Sequence, residues 1–444
     1  VPKKNSPAPV TIIGAGLAGT EAAFQLIRRG IPVKLYEMRP KVQTGAHRGD
    51  QFAELVCSNS LGSNLPDRAS GLLKEELRAM GSYILDTAYK YRVPAGQALA
   101  VDRDAFAREI TRYIRGHSHV EFVQEEISVL PDEGMVILAT GPLTSPALLK
   151  HLEKKFGKPS LYFYDAIAPV VTADSIDMTQ CFRADRYAET GDKGDYLNCP
   201  LTKEEYDLFI AELLKAPKIP LGSHEKEAKK LFAACQPVEE IAASGPDSLR
   251  FGPFKPVGLV DPKTKRRAWA VLQLRQDNLL GNMYNLVGCQ TNMKHGEQER
   301  IFRLIPALRN ATFVRLGQMH RNSYLHSPGL LTGTMQTKDD PNLFFAGQIS
   351  GVEGYTESTG TGLLAGFNAA RISLGKKTVV PPPETILGAL VKYITFPGHK
   401  VFSPMNANFG LFSDDKEMAD IDEDRKGQTI ARARRLFRQF VDEF

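Results

Sequence analysis

The stretch VTIIGAGLAGTEAAFQLIRRGIPVKLYE (10–37) decides the fold. Its pattern predicts a short strand over 10–13, a helix over Thr20–Arg29 with Ala22, Ala23, Leu26 and Ile27 on its apolar face, a stop at Gly30, and a second strand over Pro32–Glu37. Between the first strand and the helix lies the loop Gly14-Ala15-Gly16-Leu17-Ala18-Gly19. Gly14 permits the tight turn. Gly16 lets backbone approach a pyrophosphate, whose negative charge is favoured by the free N–H groups and dipole at the helix start. Gly19 lets helix and strand pack closely. Glu37 closes the second strand 18 residues after Gly19, where a carboxylate accepts from a ribose hydroxyl and disfavours a 2′-phosphate. A glycine pattern alone is weak. With strand, helix, second strand and terminal acid all in place it is specific for a dinucleotide, though it fits FAD and NAD alike.

Outward from this unit, Asp102 or Asp104 is placed to cap a helix with Phe106, Ile110 and Ile114 on one face, followed by strands over Val120–Val123 and Met135–Ala139. From about residue 166 the texture shifts to more Pro, Asp and aromatic residues. Helical runs are expected over Lys203–Lys215 and Glu225–Cys235, and a strand over Ala268–Leu274. The early texture returns with LFFAGQISGVEGYTESTGTGLLAGFNAA (343–370). Here a buried strand over Leu343–Ala346 leads into a glycine-rich turn and a helix expected from about Thr361 to Ser373. A helix starting at Gly360–Thr361 would aim its positive end at a flavin ring and stabilise the anionic reduced form, which favours FAD; a plain packing helix of small residues is the alternative. The expected architecture is therefore α/β: a Rossmann-type FAD-binding domain in two parts (1–165 and 321–444), an inserted α/β domain (166–320), and a C-terminal helical tail. That tail, 425–444, sets Ile430, Phe437, Phe440, Val441 and Phe444 near one face, with Arg432, Arg434, Arg435 and Arg438 largely elsewhere.

Bulk properties narrow the class without naming a partner. The 444 residues carry a net charge of +5, with 42% hydrophobic and 24% charged residues. This is ordinary globular composition. The small positive excess permits a nucleic-acid partner but does not argue for one. The five cysteines, Cys57, Cys181, Cys199, Cys235 and Cys289, are odd in number and widely spaced. That argues against a disulfide framework and a zinc site, and for a reducing, cytoplasmic setting. No metal, membrane span or obligatory protein partner is expected.

Several motifs carry a resemblance. FFAGQISGVEGYTES, including Gly347 and Gln348, is similar to the flavoprotein family of tRNA uridine modifiers, which includes the glucose-inhibited-division protein A group acting on wobble uridine. ELVCSNSLGS (54–63), CQPVEE (235–240), LRFGPFKPVGL (249–259), LQLRQDN (272–278), HGEQERIFRLIP (295–306), MHRNSYL (319–325) and SPMNANFGLF (403–412) resemble its shorter branch, the folate- and FAD-dependent tRNA (uracil-5-)-methyltransferases. The resemblance spans nearly the whole chain. It implies that 5,10-methylenetetrahydrofolate supplies a carbon, reduced FAD supplies electrons, NADH or NADPH re-reduces the flavin, and the product is 5-methyluridine in the T-loop of tRNA. It also implies that the important thiols are Cys57 and Cys235. A small-substrate FAD oxidoreductase, wobble-uridine modification and a tRNA-binding protein with structural FAD are the competing readings.

The residues suit that chemistry. Carbon 5 of uracil is a poor nucleophile, and thiolate addition at carbon 6 converts the ring to an enolate that attacks a one-carbon electrophile. Cys57 sits in a polar Cys-Ser-Asn-Ser run, as a site loop would, and Cys235 precedes Gln-Pro with Glu239 and Glu240 close by. Cys181, Cys199 and Cys289 read as small buried hydrophobes. His320, Arg321, Asn322 and Tyr324 form a polar cluster that either binds a ring or phosphate or is a hydrogen-bonded loop. Lys263–Arg267 and the tail arginines read either as a solvated face or as phosphate contacts.

Overall fold

The computed structural model describes residues 7–157, 161–186, 194–220, 236–412 and 423–443. Its first layer is a five-stranded parallel sheet, in the order Leu343–Phe345, Val136–Leu138, Val10–Ile13, Val33–Tyr36, Val120–Val123. Ile12 lies opposite Leu35 on one side and Ile137 on the other. The three strands Leu343–Phe345, Val136–Leu138 and Val10–Ile13 are almost wholly buried, as inner strands of a parallel sheet are, while Val33–Tyr36 alternates buried and half-buried positions.

The helix after the glycine loop runs over Leu17–Ile27, so it begins inside the loop, three residues earlier than expected. The helix of the C-terminal segment runs over Tyr355–Ser373. Its start is therefore not at Gly360–Thr361, which lie buried within it. A buried run of small residues reads equally well as turn or helix, and here tertiary packing decides for helix. The two helices lie side by side because two glycines leave room: a Cβ on Gly362 would sit 2.3 Å from the Ala18 carbonyl oxygen, and one on Gly366 would sit 2.6 Å from Ala22 backbone.

A second sheet of six strands, Phe182–Arg183, Leu197–Leu201, Ala270–Gln276, Met283–Leu286, Val170–Thr172 and Phe313–Arg315, is antiparallel throughout. Together with helices including Lys203–Lys215 and His295–Phe302 it encloses its own apolar core. The strand expected over Ala268–Leu274 is shifted to Ala270–Gln276. Between the two layers, Leu161–Ala166 and Met319–Tyr324 pair antiparallel, so the His320–Tyr324 cluster is strand, not loop. The helix expected over Glu225–Cys235 lies outside the described residues, and Cys235 with it.

The tail helix, Glu423–Asp442, buries Ile430, Ala433, Phe437 and Phe440 in the core shared with the helix Ala69–Ala79. Arg434 leaves the expected basic face to pair with Glu75 at 2.7 Å, and Arg432 pairs with Glu384 at 3.1 Å. Among the described residues no helix is long and apolar enough to cross a membrane, and no cluster of metal-ligating side chains occurs.

Candidate active site

The carboxyl ends of all five parallel strands open on one cleft. Gly14 and Gly16 line it after the first strand and Glu37 after the second, with Glu125–Ile127, Thr140–Pro142, and Gly347 and Gln348 after the others. Ligands of open α/β sheets bind at this edge.

The glycines divide their work as the loop spacing predicts. Gly14 has φ +103, and a Cβ there would lie 2.5 Å from the Ala139 carbonyl oxygen. A Cβ on Gly19 would lie 1.8 Å from the Gly14 carbonyl oxygen, so Gly19 serves packing. A Cβ on Gly16 meets nothing within 4 Å; it would stand in the cleft itself. The helix behind has no side-chain cap on its first turn, a helix start of the kind that suits an anion. Leu17 and Ala18 line the cleft with it. Ala15 does not. It is buried, and its N–H donates to the Glu37 carboxylate at 3.1 Å. The same carboxylate accepts from the Arg39 backbone and guanidinium at 3.0 and 3.1 Å, which holds it in place on the cleft wall. An open Gly16, uncapped amides and an oriented terminal carboxylate fit the dinucleotide that the sequence implies.

Of the other expected binding residues, Gly347 and Gln348 line the cleft, while Gly360 and Thr361 do not. Thr361 acts from behind: its Oγ1 accepts the Gly347 N–H at 2.8 Å, holding the turn in place. Gly360 faces Leu387 and Leu77 in the core. The helix end that does reach the cleft carries Tyr355 and Ser358.

Beyond Tyr355 lies the loop that carries Cys57. The Cys57 N–H donates to the Tyr355 phenol oxygen at 2.9 Å, and its Sγ approaches the Ala166 carbonyl oxygen at 3.5 Å. Three arginines clamp the loop. Arg103 donates to the Leu55 and Cys57 carbonyls at 2.7 and 3.0 Å, and Arg315 donates to the Val56 carbonyl. Arg275 donates to Asn59 Oδ1 at 2.9 Å and Ser58 Oγ at 3.3 Å. Arg103 is itself held by Asp277 through bonds of 3.2–3.3 Å. Cys57 is thus half-buried on a rigid loop beside the cleft. Arg103 comes from the dinucleotide-binding part of the chain; Arg275 and Arg315 come from the antiparallel sheet.

Burial sets the charge states around this loop. Desolvation, then the neighbouring Cys57, pushes the Tyr355 phenol well up, so it stays protonated at neutral pH. Desolvation, with Asp165 and Glu357 nearby, holds the Glu353 carboxyl well above the usual carboxylate range, and Gln348 donates to it. His47, which lines the cleft, is pushed down to about 3 by desolvation and by Arg39. His320 is lowered by burial as well, and its Nδ1 and the Asn322 Oδ1 find no hydrogen-bond partner among the described residues. Arg321 turns the other way and stacks 4.4 Å from the Tyr162 ring centroid.

Tyr355, Arg103, Arg275, Asp277 and Arg315 were not singled out from sequence. For Arg275 a signal existed: a charged residue inside the largely apolar strand AVLQLRQ (270–276), 7% exposed, must have a buried partner.

Comparison with known proteins identifies the family. The family model described as glucose inhibited division protein A matches residues 9–377. The chain belongs to this family. Within it, the chain is 55% identical over 402 residues to the methylenetetrahydrofolate--tRNA-(uracil-5-)-methyltransferase TrmFO of Moorella thermoacetica, covering 90% of this chain and 91% of that protein. It is 51% identical over 435 residues to the enzyme of the same name from Bacillus mycoides, covering 98% and 99%. Among solved structures, the glucose inhibited division protein A of Aquifex aeolicus superposes with a TM-score of 0.68 at 17% identity, covering 98% of this chain and 74% of that one. That likeness speaks for the shared Rossmann-type fold alone.

Proposed function

We propose that this chain methylates carbon 5 of the T-loop uridine of tRNA, with 5,10-methylenetetrahydrofolate as carbon donor, and that it is cytoplasmic. Bound FAD supplies the hydride that completes the methyl group, with NADH or NADPH as its reductant. The observation that carries the reading is the meeting of a dinucleotide cleft with a clamped cysteine loop: Tyr355 lines the cleft and accepts the Cys57 N–H at 2.9 Å. A small-substrate oxidoreductase has no use for that cysteine.

The residues divide the work. Gly16, the first-turn amides and Glu37 hold the dinucleotide. Cys235, outside the described residues, adds to carbon 6 of the uracil. Cys57 serves the carbon-5 side, handling protons or the one-carbon unit, because one thiolate cannot easily hold the ring covalently and also act there. The neutral phenol of Tyr355 and the three arginines fix the backbone on either side of Cys57. We read residues 166–320 as the inserted part that receives the tRNA, with exposed Lys263–Arg267 as phosphate contacts.

The test supplies tRNA lacking T-loop methylation, NADPH and isotope-labelled methylene in the folate. Label in T-loop 5-methyluridine supports the reading. Methyl transfer only from S-adenosylmethionine, or modification confined to the wobble uridine, sinks it.

A further inference from the structure

Cys181 and Cys199 take no part in the chemistry above. Cys181 directly precedes the strand Phe182–Arg183, and Cys199 is the middle residue of its neighbour Leu197–Leu201 in the antiparallel sheet. Phe182 lies opposite Asn198 and Arg183 opposite Leu197, so the next pair in register is Cys181 with Cys199. The Ala184 N–H donates to the Tyr196 carbonyl at 3.2 Å, which makes that pair a hydrogen-bonded one. Alternation along the ladder then makes Cys181 and Cys199 a non-hydrogen-bonded pair, the kind whose Cα atoms approach to about 4.5 Å. A disulfide accepts Cα separations of about 4.4–6.8 Å. The two sulfurs are 3.6 Å apart. Cα atoms at the general spacing of such a pair lie within the disulfide range.

We propose that Cys181 and Cys199 form a reactive dithiol, which low-molecular-weight disulfides such as oxidised glutathione convert to a cross-strand disulfide. The order of attack follows from exposure and hydrogen bonding. Cys181 is 8% exposed and Cys199 fully buried. The hydrogen bond from Cys199 lowers the Cys181 thiol, and the same bond with burial raises that of Cys199. The Cys181 thiolate attacks one glutathione sulfur and expels the other glutathione as a thiolate. Cys199 then loses its proton and attacks the Cys181 sulfur of the mixed disulfide, which expels the second glutathione. Two protein thiols are oxidised and one glutathione disulfide is reduced to two thiols.

The location gives the bond a consequence. The Asp195 carboxylate accepts the Gly96 N–H at 2.7 Å, and the Tyr196 hydroxyl donates to the Ala95 carbonyl at 3.1 Å. The strand that Cys199 anchors therefore carries contacts to the dinucleotide-binding part. A covalent tie between residues 18 apart restricts the unfolded chain and fixes this edge.

The experiment uses the full-length FAD-loaded protein, incubated with oxidised glutathione at neutral pH, then unfolded, alkylated and digested without reductant. The expected product is a Cys181–Cys199 linked peptide, about 2 Da lighter than its two thiol halves, and an oxidised protein that melts at higher temperature. Cys199→Ser should retain glutathione on Cys181. Because Cys199 is wholly buried, Cys181→Ala is the second variant: it should fold, keep FAD and methylation, and show neither crosslink nor melting shift. Full alkylation of both cysteines after oxidation overturns the proposal. So does a bond joining Cys199 to Cys289, the other buried thiol of this core.

Discussion

The Cys57 N–H donates to the phenol oxygen of Tyr355, 298 residues further along the chain, at 2.9 Å. This bond ties the cysteine loop to the start of the long helix whose first residues line the cleft. Tyr355→Phe removes the acceptor and strands a part-buried N–H, at a cost of about 1–3 kcal/mol. The fold and flavin content should persist, while methylation should fall at least tenfold through loss of loop position. Unchanged kcat and KM in this variant would show that the bond does not position Cys57.

Gly16→Glu should abolish flavin binding with little loss of stability. The added side chain meets no protein atom within 4 Å of its Cβ, yet it brings bulk and negative charge to pyrophosphate space. The purified wild type should be yellow and the variant colourless, with a melting temperature similar to that of the flavin-free wild type. Full flavin absorbance in the variant would move the cofactor elsewhere.

Distinct roles are expected for the two reactive cysteines. Cys235→Ala should lose both methylation and covalent capture of a 5-fluorouridine-containing tRNA mini-substrate, while keeping FAD. Cys57→Ala should lose methylation but bind tRNA near normally. On a denaturing gel, a covalent band that survives in Cys235→Ala and vanishes in Cys57→Ala would reverse the assignment.

Acid should destabilise the flavin-free protein through His47. Its folded pKa is about 3, below the value of about 6.5 in an unfolded chain. Between these values the unfolded state binds the extra proton, so this contribution to stability is complete above pH 6.5 and is lost as pH falls toward 3. His47→Gln should flatten that slope in urea titrations at stepped pH. An identical slope in the variant would assign the acid sensitivity to other groups.

Neutralising Arg435 and Arg438, which stay exposed on the tail helix, should weaken tRNA binding and lower its log–log salt slope by about two units, one for each lost phosphate contact. Adding Arg432→Gln should change the slope less, because that side chain already pairs with Glu384. No change in slope with any of these variants would leave the tail helix as a solvated face.

Much of the dinucleotide half was legible in the chain itself. The strand–glycine–helix–strand–acid order of residues 10–37 is local, each step fixed by backbone geometry within a few residues. The structure returns it with the helix moved from Thr20–Arg29 to Leu17–Ile27 and the second strand shortened from Pro32–Glu37 to Val33–Tyr36. The resemblance of the cysteine motifs to the methyltransferase branch was equally available, since it rests on residue identity and not on contact. What sequence could not decide was where small-residue runs end and which charges meet. Gly360 and Thr361 look like a helix start until Gly362 and Gly366 are seen packed against Ala18 and Ala22, which extends the helix back to Tyr355. The clamp of Arg103, Arg275 and Arg315 on residues 55–59 joins segments up to 259 positions apart, and the pairing of Arg103 with Asp277 spans 174. Local pattern carries no information about such partners. They are selected by the cost of burying a charge alone, and only the folded chain shows which opposite charge or carbonyl removes it.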